Sequence, residues 1–390
     1  MTAVSPASDV DELALMLRPA GGGIFTVSTG RAEQEALQRT LYGAADAAAV
    51  DSSWRTSLAA IATAKAVVLG IPSDCGAGLV RGAAYGPQGV RAATLRLRPD
   101  FPQMARRLGI VDVGDVFVVP QLLSDEMLDA RQVQATRAAI YGGDLRAEGL
   151  PVAPLSIAEA VVDRILRINP AVRLLMLGGD HSVAWPVVAA LARQVREPWA
   201  IVHLDAHTDL LPQRLGVKIC FATWAYHANE LLGRGGRLVQ IGVRASGRPR
   251  AHWETTLGVR QFWMDDLRAR GDQAIIDELL AHLRTIGVRR VYLSNDIDAT
   301  DAAVAPSTGA PAAGGLSVAF VRSLISRLGG AVSLLGGDVV EVAPPIGSPA
   351  DAQRTTDVAA CYMLETLAVL VGDSSLRPQG EAQAQMSDNA

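Results

Sequence analysis

Three short apolar runs in this chain each lead straight into acids and histidines, and that arrangement narrows the fold more than any other feature. Residues 174–177 precede Gly178-Gly179-Asp180-His181-Ser182, and residues 199–204 precede Asp205-Ala206-His207-Thr208-Asp209. Residues 291–293 precede Ser294-Asn295-Asp296-Ile297-Asp298. Runs this short and apolar read as strands buried on both faces, the kind found in parallel sheets. On an extended backbone, side chains at i, i+2 and i+4 share a face, so Asp205, His207 and Asp209 converge, as do Asp296 and Asp298. Open α/β sheets hold their ligands at the C-terminal ends of such strands. Acids packed together without a basic partner repel and resist burial. A divalent cation removes that penalty, and carboxylate with imidazole suits manganese, nickel, iron or zinc. On its own, the 205–209 stretch also reads as a strand end whose acids cap the next helix. With His181, Asp296 and Asp298 beside it, the ligand set is too large for one ion and fits two, if Asp205 and Asp296 bridge.

The rest of the chain alternates strand and helix. Strands are expected from residue 66 to 70, 110 to 116, 238 to 243 and 332 to 335. Helices are expected at 31–49, 156–168, 273–285, 317–328 and 351–371. Such repetition demands right-handed crossovers and a mostly parallel sheet with helices on both faces. The expected divisions are an N-terminal extension over 1–60, a catalytic domain over 61–372 and a flexible tail over 373–390. The first nineteen residues read as weakly ordered or packed on a neighbouring subunit. Residues 71–87 read as a loop over the strand ends, with Asp74 a turn residue. Asp180 reads as an orienter or helix cap, and His203 as a core histidine or one that supports a ligand.

Composition excludes several classes. The net charge is -4 and no Lys/Arg cluster stands out, which argues against nucleic acid as a partner. The three cysteines, Cys75, Cys220 and Cys361, are too scattered for a disulfide framework or a CxxC zinc site. Acids without any basic residue at the N-terminus do not make a signal peptide, and no apolar run is long enough to span a membrane. The expectation is a soluble, cytoplasmic protein.

GGDHS, DAHTD and SNDIDATD resemble the three signature motifs of the ureohydrolase family, the arginases, agmatinases and related guanidino-group hydrolases. The likeness runs over about residues 67–371 and takes in Gly70-Ile71-Pro72-Ser73-Asp74, Asp112-Val113-Gly114-Asp115, Ala305-Pro306-Ser307-Thr308-Gly309 and Asp338-Val339-Val340-Glu341-Val342. It implies a three-layer α/β/α arginase-like fold with a mostly parallel central sheet, two divalent ions per subunit and release of urea from a small cationic guanidino substrate. It implies that His181, Asp205, Asp209 and Asp296 hold one ion, and Asp205, His207, Asp296 and Asp298 the other. It further implies that a free oxygen of Asp209 orients the attacking water, that Glu341 accepts hydrogen bonds from the substrate, and that the protein is a homo-oligomer, trimer or hexamer.

This chain also departs from the family pattern. Phe221 stands where most relatives have a histidine that assists proton transfer, and Ala302 follows Asp301 in place of proline. Phe221 and Trp224 are therefore expected to close the pocket around something small, Thr308 to line it, and His227 to supply the missing proton or position the substrate, unless it is an ordinary exposed or packed helix histidine. On these grounds the chain resembles the nickel-dependent guanidine hydrolase branch more than the agmatinases. That branch implies Ni2+ ahead of Mn2+, metal-loading accessory proteins as partners, and guanidine as substrate. The alternatives are a manganese agmatinase or guanidinobutyrase-type enzyme, and a silent subunit of a mixed assembly.

Overall fold

The computed structural model describes residues 6–78 and 80–378. Nine strands form one sheet: β1 (Leu17–Arg18), β2 (Ala66–Ile71), β3 (Ile110–Val116), β4 (Arg173–Gly178), β5 (Ala200–Leu204), β6 (Leu238–Val243), β7 (Arg260–Trp263), β8 (Arg290–Asp296) and β9 (Ser333–Val340). Their spatial order is β1-β3-β2-β4-β9-β8-β5-β6-β7, and every pairing except β1 with β3 is parallel. After β4 the chain leaves a gap and builds β5, β6 and β7 outward, then returns to fill the gap with β8 and β9. The direction of winding therefore reverses between β4 and β5, which is where a doubly wound sheet opens a crevice at its carboxyl edge.

Alternate residues of the central strands feed two cores. One face carries Leu175, Leu177, Val202, Leu204, Val239, Ile241, Val291 and Leu293 beneath helices Gly86–Leu97, Asp272–Thr285, Val318–Ala331 and Pro349–Val371. The other carries Leu174, Met176, Ile201, Leu238 and Tyr292 beneath helices Pro154–Ile168, Ala184–Gln194 and Trp224–Leu232. This is the expected three-layer arrangement.

The N-terminal segment corrects the expectation of a weakly ordered start. Pro6–Met16 is a helix that lies against Pro154–Ile168, with Leu13 and Met16 fully buried and Asp9 paired to Arg167 at 2.5 Å. Leu17 then opens β1, which adds the antiparallel edge strand to β3. The physical reason is a short run of apolar side chains that can be covered only inside the main core. The expected helix over 31–49 is two helices, Arg31–Tyr42 and Ala47–Ala60. Gly43 ends the first in the left-handed region, and Asp46 starts the second by accepting from the Ala49 amide at 2.9 Å. Of the expected C-terminal tail, 379–390 lie outside the described residues. No helix of the described chain is long and apolar enough to cross a membrane.

Candidate metal centre

The carboxyl ends of β4, β5, β8 and β9 bring the sequence-expected acids and histidines together. His181 opens a 3-10 turn after β4, and its Nδ1 lies 3.1 Å from Asp296 Oδ2 and 3.4 Å from both Asp205 Oδ2 and Asp209 Oδ2. His207 Nδ1 lies 3.1 Å from Asp298 Oδ2 and 3.3 Å from Asp205 Oδ1. Asp205 therefore faces both clusters, one oxygen to each. His207 is half-buried, whereas the other five are buried.

How the backbone achieves this differs from the extended-strand expectation. β5 ends at Leu204, and residues 205–209 form a loop in which Asp209 has φ 52. Asp298 sits on a 3-10 turn begun by Asp296, whose Oδ1 accepts the Asp298 amide at 2.8 Å. Glu341, just past β9, has φ 61. Two of the few non-glycine residues with positive φ among the described residues are thus at this site, where strain is typically retained for function. Gly179 is needed for close approach rather than for a turn: an added Cβ would lie 1.8 Å from Ser73 O. Asp180 caps the turn through Ser182 N and holds Gly76 N at 3.0 Å, while Asp74 accepts from Gly82 N at 2.9 Å.

The remaining candidates fall in different places. Trp224 is fully buried, stacks on His181 with ring centroids 4.5 Å apart, and donates its indole N–H to Asp209 Oδ2 at 3.0 Å. It touches two candidate ligands from behind instead of lining an entrance. Phe221 is half-buried against the 75–78 loop, 3.3 Å from where a Cβ on Gly78 would be, with the Arg214 guanidinium 5.0 Å above its ring. His227 Nε2 lies 3.1 Å from the carbonyls of both Pro212 and Lys218, so its proton is committed to the 210–222 loop. Thr308 Oγ1 is buried with no hydrogen-bond partner among the described residues, next to Gly309, whose Cβ position is 3.6 Å from Glu341 Oε2. Glu341 Oε1 accepts the His181 amide at 2.9 Å, which leaves Oε2 available. Sequence reasoning missed Arg244, which donates to the carbonyls of Asp298 at 2.6 Å and Ala312 at 2.7 Å and so fixes the turn carrying Asp298. An arginine just past a strand gave no signal of that role.

The arginase family model matches residues 64–369. The chain belongs to the arginase family. It is 31% identical to a guanidinobutyrase of Pseudomonas aeruginosa, over 79% of this chain and 86% of that protein. It is 30% identical to an agmatinase of Chromobacterium violaceum, over 76% of this chain and 80% of that one. Among solved structures, proclavaminate amidino hydrolase from Streptomyces clavuligerus superposes with a TM-score of 0.59 at 28% identity, covering 78% of this chain and 90% of that chain. As an arginase-family member, the chain is a metal-dependent hydrolase acting on guanidino compounds.

The electrostatics fit a pair of cations. Burial, then neighbouring acids, push Asp209 and Asp296 well above the usual carboxylate range; burial and Asp205 also raise Asp298. Burial pulls His207 down, but Asp205 and Asp298 outweigh it and lift it to about 12. Without metal the folded cluster therefore retains protons that ions would displace. Carboxyls raised above their unfolded values contribute stability below about pH 4 and lose it as pH climbs through the raised values. Metals take over the protons' role, so the gain in Tm on adding Mn2+ or Ni2+ is expected to be larger at pH 8 than at pH 5.5. A gain equal at both values in a calorimetric scan would count against this account.

Trp224 gives a second expectation. Trp224→Phe keeps an aromatic ring against His181 but removes the N–H that holds Asp209. Metal affinity should fall by roughly 10–100-fold, the range typical of groups that orient ligands. Competition with a coloured chelator measures it, and unchanged affinity would reduce Trp224 to packing alone.

Proposed function

We propose that this chain hydrolyses a small guanidino compound to urea, with His181, Asp205, Asp209 and Asp296 holding one divalent ion and Asp205, His207, Asp296 and Asp298 the other. The observation that carries the proposal is the free Oε2 of Glu341, a buried carboxylate beside the cluster and set up by strained backbone. A planar guanidinium matches a carboxylate with two parallel N–H donations. Bound at this cluster, two divalent ions supply a hydroxide nucleophile near neutral pH. Asp209, gripped through Oδ2 by Trp224, has Oδ1 left to orient the attacking water. Nitrogen and oxygen donors accept either manganese or nickel. A homo-oligomer is part of the same proposal.

Two substrate readings follow from two observations. Phe221 fills the place of the family's histidine and stands against Gly78, which favours guanidine itself, yielding urea and ammonia. A recess of about 340 Å³ lined by Cys75, Gly76, Leu123 and Arg214 lies on the same loops, but neither Glu341 nor any of the six candidate ligands lines it. The relative named guanidinobutyrase favours a guanidino acid instead. The relative named agmatinase makes agmatine the third substrate to compare. The test is kcat/KM for urea release from guanidine, 4-guanidinobutyrate and agmatine with each metal. A clear preference for agmatine would overturn both readings, and no urea from any of them would overturn the proposal.

A further inference from the structure

A row of buried polar side chains crosses the sheet one step below the metal-facing acids. Strand register aligns Asp338 of β9 with Ser294 of β8, Ser294 with His203 of β5, His203 with Gln240 of β6, and Gln240 with Gln261 of β7. Asp296 lies two residues beyond Ser294, and Asp205 two beyond His203, so the candidate ligands form the next step on the same face. A polar row across five strands costs desolvation at each member unless every hydrogen bond is made. Here the bonds are made, and their directions are forced from the two ends.

At one end Trp263 Nε1, which can only donate, gives its proton to Gln261 Oε1 at 2.9 Å. That turns the Gln261 amide nitrogen to Gln240 Oε1 at 2.7 Å, and the Gln240 nitrogen to Thr208 O at 2.7 Å and His203 Nδ1 at 3.0 Å. Nδ1 of His203 must then be the bare nitrogen, and Nε2–H points to Asp205 Oδ2 at 2.8 Å. At the other end Asp338 accepts from Tyr292 at 2.9 Å, from the Asn295 amide at 3.0 Å and from Ser294 Oγ at 3.0 Å. With its proton spent on Asp338, Ser294 accepts from His181 Nε2 at 2.9 Å, so Nδ1 is the His181 nitrogen turned to Asp205, Asp209 and Asp296 and the one a cation would meet.

We propose that this row sets both imidazole tautomers, so that His181 presents Nδ1 to a metal while His203 is a positioning residue that holds the bridging carboxylate of Asp205. His203 also falls within the donor cluster of His181, Asp205 and Asp209, so ligand and orienter are both open to it on distance alone. Only the direction of the relay separates them: a nitrogen that carries the proton cannot bind a cation. The sequence holds no motif for this, because Gln240, Gln261 and Trp263 meet His203 only through strand register.

The experiment has one arm without metal and one with. In metal-free protein, nitrogen-15 spectra of the imidazole rings should show His203 protonated at Nε2. Gln240→Glu places an acceptor against Nδ1 and should put a proton on Nδ1, while Trp263→Phe should leave the folded spectrum intact but weaken the preference for a bare Nδ1. In the second arm, calorimetric titration with Mn2+ alone should show His203→Phe losing roughly 10–100-fold in affinity. His203→Gln, which can still donate to Asp205, should recover part of that loss. A wild-type His203 protonated at Nδ1, a direct metal shift on its Nε2, or equal Mn2+ affinity in folded His203→Phe would each overturn the proposal. The first arm needs no catalytic turnover, so it stands apart from the choice of substrate.

Discussion

Asp296→Asn should abolish urea release and remove most of the bound metal, yet leave the metal-free protein more stable than the parent at neutral pH. Asp296 is the carboxylate nearest His181 Nδ1, at 3.1 Å, and it also faces Asp298 through the turn it caps. Its carboxyl is pushed well up by burial, then by Asp298 and Asp205, so charging it in the absence of cations is unfavourable. The amide retains the size and can still accept the Asp298 amide proton, but carries no charge. Loss of a bridging ligand should exceed the roughly 10–100-fold effect of an orienting residue on metal affinity. The checks are metal content after dialysis and Tm with and without chelator. Parent-like turnover with one metal or none per subunit would remove the basis for a two-ion centre, and a lower metal-free Tm would contradict the repulsion assigned to Asp296.

The parts legible in the sequence were those encoded within a single segment. His181, Asp205, His207, Asp209, Asp296 and Asp298 announced themselves because acids and histidines follow apolar strands at short fixed spacing, and the structure gathers all six at one edge. The route to that convergence is not a continuous extended strand, since the backbone leaves the strand at Leu204 and reaches Asp209 through the left-handed region. What depended on register between distant segments was not legible. Trp224 looked like a pocket wall because it follows Phe221 closely, but the start of a helix at Trp224 turns its indole toward His181 and Asp209. His227 lies on the same helix, yet its ring faces back to the 210–222 loop. The N-terminal helix hid for a related reason. Its few apolar residues, Leu13 and Met16, gain meaning only against the face of Pro154–Ile168.

Glu341→Gln should separate substrate recognition from metal binding. Glu341 Oε1 accepts the His181 amide at 2.9 Å, and glutamine can keep that contact through its carbonyl oxygen. What changes is the other atom: Oε2, an acceptor with room beside Gly309, becomes an NH2 donor. A guanidinium brings only donors, so the variant sets donor against donor and removes the negative charge. Burial, then Asp180, raises the Glu341 carboxyl well above its ordinary range, so the free enzyme tends to hold a proton there that a cationic substrate must displace. Truncating one partner of a buried, hydrogen-bonded charge pair costs about 2–5 kcal/mol, equivalent to roughly 30-fold to several thousand-fold in kcat/KM. Metal content should stay at the parent value, because Glu341 is not among the six convergent donors. The pH profile should change as well: in the parent, kcat/KM should rise with pH as Glu341 ionises, and that limb should vanish in the variant. Equal kcat/KM for parent and variant on every guanidino substrate, with metals retained, would place the guanidinium elsewhere in the site.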